Sequence, residues 1–438
     1  MYRKLSAPVS CQIEITTGCD NNCIHCYNYW RHEQEIKGSN MSKAVLKKVT
    51  ADIIESKVFH VTFTGGEPLM RKEILFEGIE ILMNAGVVCD VNTNLTLITP
   101  ESAGRLVSLG IGGVLTSVAA PVAILHDHIM QKKGAFNATL KGIKVSQDAG
   151  LVVAASMVVT KLNVKEVYST GMFLHSIGVN QFYATKASPP LNSQNFMQYM
   201  LSDDELISLL EQLRRLREEI RMNVGALECY PLCSYVNQEA YSFMADRRCS
   251  AGVTTCSIGA DGSVRACSHD DVSYGNVVTD GLISAWNSMS EWRDGTLLPE
   301  GCKQCKSFAS CSGGCRVDAM YVSGCKSNQD PYTKYANVEK IVARKPRNHT
   351  DFTDKGSVFK ISKELKYRDE GFCVLCAGQR NIASPATLSR GSYELIQGLN
   401  RRSATFGLNE VVCYTKLPPQ SANELCNAFL NDGIFELT

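Results

Sequence analysis

Three cysteines set close together, Cys19, Cys23 and Cys26 in the run GCDNNCIHC, constrain this chain more than any other feature. In a spacing of C-x3-C-x2-C, loops of two or three intervening residues can wrap three thiolates around one face of a common ligand. The chain holds 19 cysteines in 438 residues, an odd number. The stretch from Met1 to Cys19 has no apolar segment of a secretory signal. A reducing, cytoplasmic setting is therefore expected, where such cysteines serve as metal ligands or reactive thiols rather than disulfides. A net charge of +1 excludes nucleic acid and anionic membrane as main partners, since both need a basic field. No run of 18 apolar residues offers a membrane span.

The first half alternates strands with helices. Val9, Cys11, Ile13 and Ile15 share one face of a strand at 9–16. Further strands are predicted at 60–64, 87–92, 113–118, 151–159 and 180–185. Helices are predicted at 41–57, 71–85, 100–109, 137–149 and 164–176. Alternation of this kind implies an α/β fold with parallel pairing through right-handed crossovers. Six such units are too few for a closed eight-stranded barrel, which leaves a partial barrel or an open doubly wound sheet. A long amphipathic helix follows at 202–222, opened by an S-x-x-E capping box at Ser202 and Glu205. The expected division is 1–200 for the barrel, 201–225 for a bridging helix, 226–335 for a cysteine-rich unit, 336–355 for a polar linker and 356–438 for a C-terminal unit.

Three thiolates on a cubane leave one iron open, and an open position is where a substrate or cofactor binds. A zinc loop with a distant fourth ligand is the alternative. The second strand ends in Gly65-Gly66-Glu67-Pro68, where glycines let backbone approach a ligand and Glu67 can accept from an ammonium. Downstream the pattern is Cys249-x12-Gly262-x4-Cys267, then Cys302-x2-Cys305-x5-Cys311-x3-Cys315, with Cys256 inside the first spacing and Cys325 beyond the last. Eight cysteines suffice for two more cubanes, or for two zinc ribbons.

The first loop and the GGE motif resemble those of radical S-adenosylmethionine (SAM) enzymes. The later pattern is similar to the SPASM domain, the auxiliary-cluster extension of peptide-modifying and sulfatase-maturing members. This resemblance implies a partial (β/α)6 barrel over roughly residues 9–190, SAM, and three [4Fe–4S] clusters. Cys19, Cys23 and Cys26 would bind the cluster that cleaves SAM to a 5′-deoxyadenosyl radical. Gly65, Gly66, Glu67 and Pro68 would hold the methionine amino group, and Asn94, Ser117 and Met157 at later strand ends would lie near SAM. Thr160 and Asn163 are weaker candidates. The resemblance assigns Cys249, Cys256, Cys267 and Cys315 to one auxiliary cluster and Cys302, Cys305, Cys311 and Cys325 to the other. Asp330 or an open iron could replace Cys325, because the family often sets its last cysteine after an Asp-Pro pair and here Tyr332 follows Asp330-Pro331.

Cys229 and Cys233, in ECYPLCSY, are candidate hydrogen-atom donors or else small buried residues. Cys373 and Cys376 fall on opposite faces of a strand and read as structural. The C-terminal unit resembles the small PqqD-like domain that binds leader peptides by strand addition, or a winged-helix-like structural unit. The resulting expectation is maturation of a ribosomally made precursor peptide by crosslinking or epimerisation, with a flavodoxin- or ferredoxin-like electron donor. The alternatives are a sulfatase-maturase type dehydrogenase, a cofactor-tailoring enzyme acting on a small molecule, and a SAM-inactive electron-transfer or peptide-binding protein.

Overall fold

The structure, a computed structural model, describes residues 2–28, 30, 39–190, 194–235, 240–244, 247–334, 357–363, 365–378, 385–402 and 404–438. The linker expected at 336–355 lies outside them. Six strands run in chain order through one parallel sheet: β1 (Ser10–Glu14), β2 (His60–Thr64), β3 (Val88–Asn92), β4 (Gly113–Ser117), β5 (Val152–Val159) and β6 (Gln181–Lys186). The crossovers carry α1 (Lys43–Glu55), α2 (Lys72–Asn84), α3 (Pro100–Ser108), α4 (Ala123–Met130), α5 (Ala135–Asp148) and α6 (Val167–Ser176). The sheet is open, and residues of all six strands, from Gln12 of β1 to Thr185 of β6, face one cavity, so it curls into the partial barrel.

Two extensions go beyond six units. The helix expected to bridge, α7 (Asp203–Ile220), is the crossover from β6 to a short parallel strand β7 (Asn223–Gly225). Its Leu206, Leu209, Leu213 and Leu216 are buried. A Cβ on Gly171 of α6 would lie 2.3 Å from Leu216 Cδ1, so the absence of a side chain there lets α7 pack closely. At the other edge, β8 (Thr255–Ile258) of the cysteine-rich unit pairs parallel to β1, followed by antiparallel β9 (Ser263–Arg265) and β10 (Ser273–Asn276). The cysteine-rich unit is thus built onto the barrel sheet. Sequence periodicity passed over α4, whose mixed AILHDHIM pattern carries no clear apolar stripe.

The C-terminal unit has two three-stranded sheets. One is ordered β15-β11-β16, from β11 (Val358–Ile361), β15 (Phe406–Gly407) and β16 (Phe435–Leu437). The other is ordered β12-β13-β14, from β12 (Lys366–Asp369), β13 (Val374–Ala377) and β14 (Ala386–Leu388). Helices Arg390–Arg402, Leu408–Thr415 and Pro419–Asn431 pack with them. Alternation along β13 does what the spacing of its cysteines predicts. Cys373, Leu375 and Ala377 join the barrel's core, while Val374 and Cys376 join the core of the unit itself.

The docking of this unit depends on Arg368. Its buried guanidinium donates to Ala7 O at 2.8 Å and Pro8 O at 2.7 Å, and its Nε to Glu370 at 2.6 Å. Removing it strands Glu370 and two carbonyls in a buried contact. Arg368→Ala is expected to destabilise the protein by about 3 kcal/mol, read as a lowered midpoint in thermal unfolding. An unchanged midpoint would show that the contact contributes nothing.

Candidate active site and thiol clusters

The ends of β1 and β2 are joined by backbone alone. Gly66 N donates to Thr16 O and Glu67 N to Gly18 O, both at 2.7 Å. A Cβ on Gly66 would sit 1.9 Å from Gly18 O, and one on Gly65, at φ +133°, would sit 2.4 Å from Thr16 O. Only glycine allows this approach, which brings the loop carrying Cys19, Cys23 and Cys26 against the GGE turn. Asn28 Nδ2 adds a bond to Gly65 O at 3.1 Å.

The Glu67 carboxylate is turned inward. It accepts from Leu69 N at 2.9 Å, Thr93 Oγ1 at 2.7 Å and Asn94 N at 2.8 Å. Burial pushes its pKa up to about 7 against the pull of those donors. It caps the short helix Pro68–Arg71 and ties the turn after β2 to the one after β3. Asn94 continues the chain of contacts, donating to Asp20 Oδ1 at 2.8 Å, while Thr96 donates to Asp20 Oδ2 at 2.6 Å and Lys132 pairs with the same carboxylate. Burial raises the Asp20 pKa, but these three donors outweigh it and hold the group below its usual range. Helix α4 pins the other side of the loop. Asn22 N reaches Met130 O at 3.1 Å, Ile24 N reaches Ile129 O at 2.9 Å, and Cys23 Sγ lies 3.2 Å from Met130 Sδ.

A cavity of about 270 Å³ opens beside these groups. Cys19, Cys23 and Cys26 line it with Gly65 and Gly66, and Asn94 and Ser117 reach it. Met157 does not. Period-two alternation along β5 turns Ser156 and Val158 to the cavity and buries Met157 behind them. Thr160 and Asn163 also stay away, bonded to each other in a buried turn where Asn163 Oδ1 accepts from Thr160 N at 2.8 Å. The opposite wall comes from the cysteine-rich unit: Leu227, Glu228, Ser268 and His269. His269 stacks on Tyr27 at 4.1 Å between ring centroids and lies 3.2 Å from Glu228 Oε1. Neither Cys229 nor Cys233 lines the cavity, so the structure does not place them as hydrogen-atom donors to a group held there.

The later cysteines gather in two sets whose membership differs from the one the resemblance implies. Cys229 bonds Cys249 and Cys315, and Cys267 is within electrostatic reach of Cys249 and Cys315. Cys302 and Cys311 are likewise within reach of Cys233 and Cys305. Cys256 is not brought to the first set. The β1–β8 register places it opposite Cys11 with the two sulfurs 3.6 Å apart in the core. Cys325 is exposed past the end of helix Arg316–Ser323, with its sulfur 3.0 Å from Ser327 Oγ. Asp330 is buried and spends its carboxylate on Cys315 N at 2.7 Å and Tyr332 N at 2.9 Å, so it offers the second set no free oxygen pair. Burial drives the Cys302 thiol up to about 11, and Cys229 and Cys267 are also raised. Among the described residues no three His, Cys, Asp or Glu side chains close on a point tightly enough to hold one ion.

Residues 13–174 match the family described as the Radical SAM superfamily, and residues 249–312 the iron–sulfur cluster-binding SPASM domain. The chain carries a radical SAM domain followed by a SPASM domain. Its cofactors are iron–sulfur clusters and SAM. Among curated relatives it is 26% identical to an AdoMet-dependent heme synthase of Nitratidesulfovibrio vulgaris, over 74% of this chain and 91% of that one. It is 24% identical to the mycofactocin maturase MftC of Mycobacterium tuberculosis, over 80% and 89%. Among solved structures, anSMEcpe with bound AdoMet superposes with a TM-score of 0.60 at 18% identity, covering 74% of this chain and 90% of that one. Streptococcus suis SuiB bound to its precursor peptide SuiA gives 0.58 at 16%, covering 75% and 76%.

Sequence reading missed the charged centre between the barrel and the SPASM domain. Lys186, at the end of β6, is fully buried and paired with the equally buried Asp318, with Glu228 at 4.0 Å. Burial alone would strip its proton, but Asp318, Asp330 and Glu228 together hold its pKa well above the ordinary lysine value. A lysine closing the strand, next to the inward-facing Phe182 and Ala184, was the available signal. Lys186→Met leaves Asp318 buried without its cation and is expected to destabilise by about 4 kcal/mol. Lys186→Met/Asp318→Leu, which removes both charges, should recover most of that loss in denaturant unfolding. A double variant as unstable as the single one would refute the pairing.

Proposed function

We propose that this radical SAM/SPASM enzyme modifies a ribosomally made precursor peptide, forming a crosslink or an epimer, and that it uses three [4Fe–4S] clusters. The observation that carries the reading is the cavity itself. One wall presents Cys19, Cys23 and Cys26, and the facing wall comes from the segments that bear Cys229 and Cys267. A substrate atom in this space lies between the site of SAM cleavage and a second redox centre. When bound, the reduced cluster and SAM supply a 5′-deoxyadenosyl radical, and the auxiliary clusters accept or return the substrate electron.

The chain's own residues would hold this assembly. Cys19, Cys23 and Cys26 would ligate the first cluster, and the Gly65–Gly66 backbone would make room for the methionine end of SAM. Glu67 would act by positioning that turn rather than by direct contact, since its carboxylate already accepts three bonds. Asn94 and Ser117 would face the nucleoside. The Tyr27–His269 stack and Glu228 would exclude water from the far wall.

The peptide assignment draws on the C-terminal unit. Among the described residues strand β14 pairs only with β13, so it leaves an edge to which an extended leader can add. MftC, named a maturase, and SuiB, solved with its precursor peptide, support the same reading. The 19 free cysteines fit a reducing cytoplasm, where a flavodoxin- or ferredoxin-like donor would supply the electron. The heme synthases among the relatives favour a second reading, in which the substrate is a tetrapyrrole.

Reconstituted protein given dithionite and SAM should release 5′-deoxyadenosine, and Cys23→Ala should reduce that to background. Adding a precursor peptide taken from a short open reading frame found beside the gene should produce a modified peptide detectable by mass spectrometry. Turnover of an iron porphyrin with the peptide left untouched would overturn the peptide reading in favour of the second.

A further inference from the structure

We infer that Cys229 and Cys233 complete the two auxiliary iron–sulfur sites, Cys229 with Cys249, Cys267 and Cys315, and Cys233 with Cys302, Cys305 and Cys311. This rests on reading the two thiol sets as cluster sites, and it replaces the two ligands that the resemblance implied, Cys256 and Cys325.

The case is geometric. Cys229 is buried and bonds two members of the first set directly. Four residues on, after the buried Tyr230 and Leu232, the chain has crossed to the second set, where Leu232 N donates to Cys311 Sγ at 3.3 Å. The short helical turn Leu232–Ser234 then sets Cys233 among Cys302, Cys305 and Cys311. Lys334 N, from the far end of the SPASM domain, donates to Cys233 Sγ at 3.3 Å, so this sulfur already receives the kind of backbone bond that stabilises a thiolate. His269 N does the same for Cys267 at 3.4 Å and Asp318 N for Cys315 at 3.4 Å. The displaced candidates sit elsewhere, although backbone N–H groups of Ser327 and Asn328 also bond the Cys325 sulfur. Cys256 is committed to the β1–β8 ladder against Cys11, and Cys325 lies exposed on a turn.

One consequence is proximity. Four residues span at most about 14 Å of chain, so clusters held by Cys229 and Cys233 are obligate neighbours, able to exchange electrons across one loop. A second is mechanical: movement of this loop displaces a ligand of both sites. Glu228, on the cavity wall, is the residue just before Cys229, so the same loop also touches the substrate space.

The test uses the full chain, reconstituted anaerobically with iron and sulfide, as wild type and as Cys229→Ser, Cys233→Ser, Cys256→Ser and Cys325→Ser. Iron and sulfide per chain and the EPR spectrum of the reduced protein are the readouts. Wild type should bind about twelve irons. Cys229→Ser and Cys233→Ser should each lose up to about four, or shift one auxiliary EPR signal, while Cys256→Ser and Cys325→Ser match wild type. Loss of iron in Cys256→Ser or Cys325→Ser with the other two unchanged overturns the ligand assignment alone. A wild-type protein holding only about four irons, or zinc, overturns both the assignment and the reading beneath it. Alkylation of the unmutated protein gives a check that no folding defect can blur. Cys325 should label in apo and reconstituted protein alike, and Cys233 only in the apo protein. Labelling of Cys233 after reconstitution would overturn its role.

Discussion

Backbone contact between the cysteine loop and the GGE turn is the constraint on which the rest of the structure depends. Two hydrogen bonds of 2.7 Å and a separation that leaves no room for a Cβ on Gly66 join the ends of β1 and β2. Every later element is arranged around that junction. Glu67 carries it to the turn after β3, Asp20 and Asn94 carry it to the turn between α4 and α5 by way of Lys132, and α4 holds the loop from outside. The thiols therefore face a preformed cavity rather than one that must be assembled when a ligand arrives, which lowers the ordering cost of binding.

The SPASM domain is fastened to this frame by buried charge as well as by the shared sheet. Arg265, at the end of β9, pairs with Glu14 at the end of β1 and donates to Ser268 O at 3.1 Å and Asp270 O at 2.8 Å. Those bonds hold the segment that carries Cys267 and His269 over the cavity. Lys186 and Asp318 do the same from the opposite end of the sheet. Buried pairs of this kind cost desolvation, so their value is less in stability than in admitting one arrangement of the two domains. An arrangement off by a strand register would leave a charge buried alone.

Much of this was legible beforehand, for identifiable reasons. The strand–helix alternation is a short-range signal, and the six strands lie within two residues of where periodicity puts them. The capping box at Ser202 and Glu205 is formed as the spacing implies. The GGEP turn could be read because glycine's backbone role is local. Helix α4 was missed because its apolar residues do not line a stripe, and β7 because three residues leave no pattern. Met157 was misplaced by one residue, which in a strand reverses the face.

The cysteine sets mark the boundary between the two kinds of information. The sequence by itself determined that the chain carries a radical SAM cysteine loop and enough clustered thiols for further iron–sulfur sites, because ligands close in sequence must be close in space. It could not determine which distant thiols meet. Cys256 has suitable spacing but belongs to β8, and pairing with β1 commits its side chain to the core opposite Cys11. Cys229 and Cys233 stand outside the spacing motif, yet the turn after β7 carries them between the two sets. Only the tertiary structure decides such pairings, because a loop's path follows from the sheet it leaves and the core it must cover, and neither is written in the intervals between cysteines.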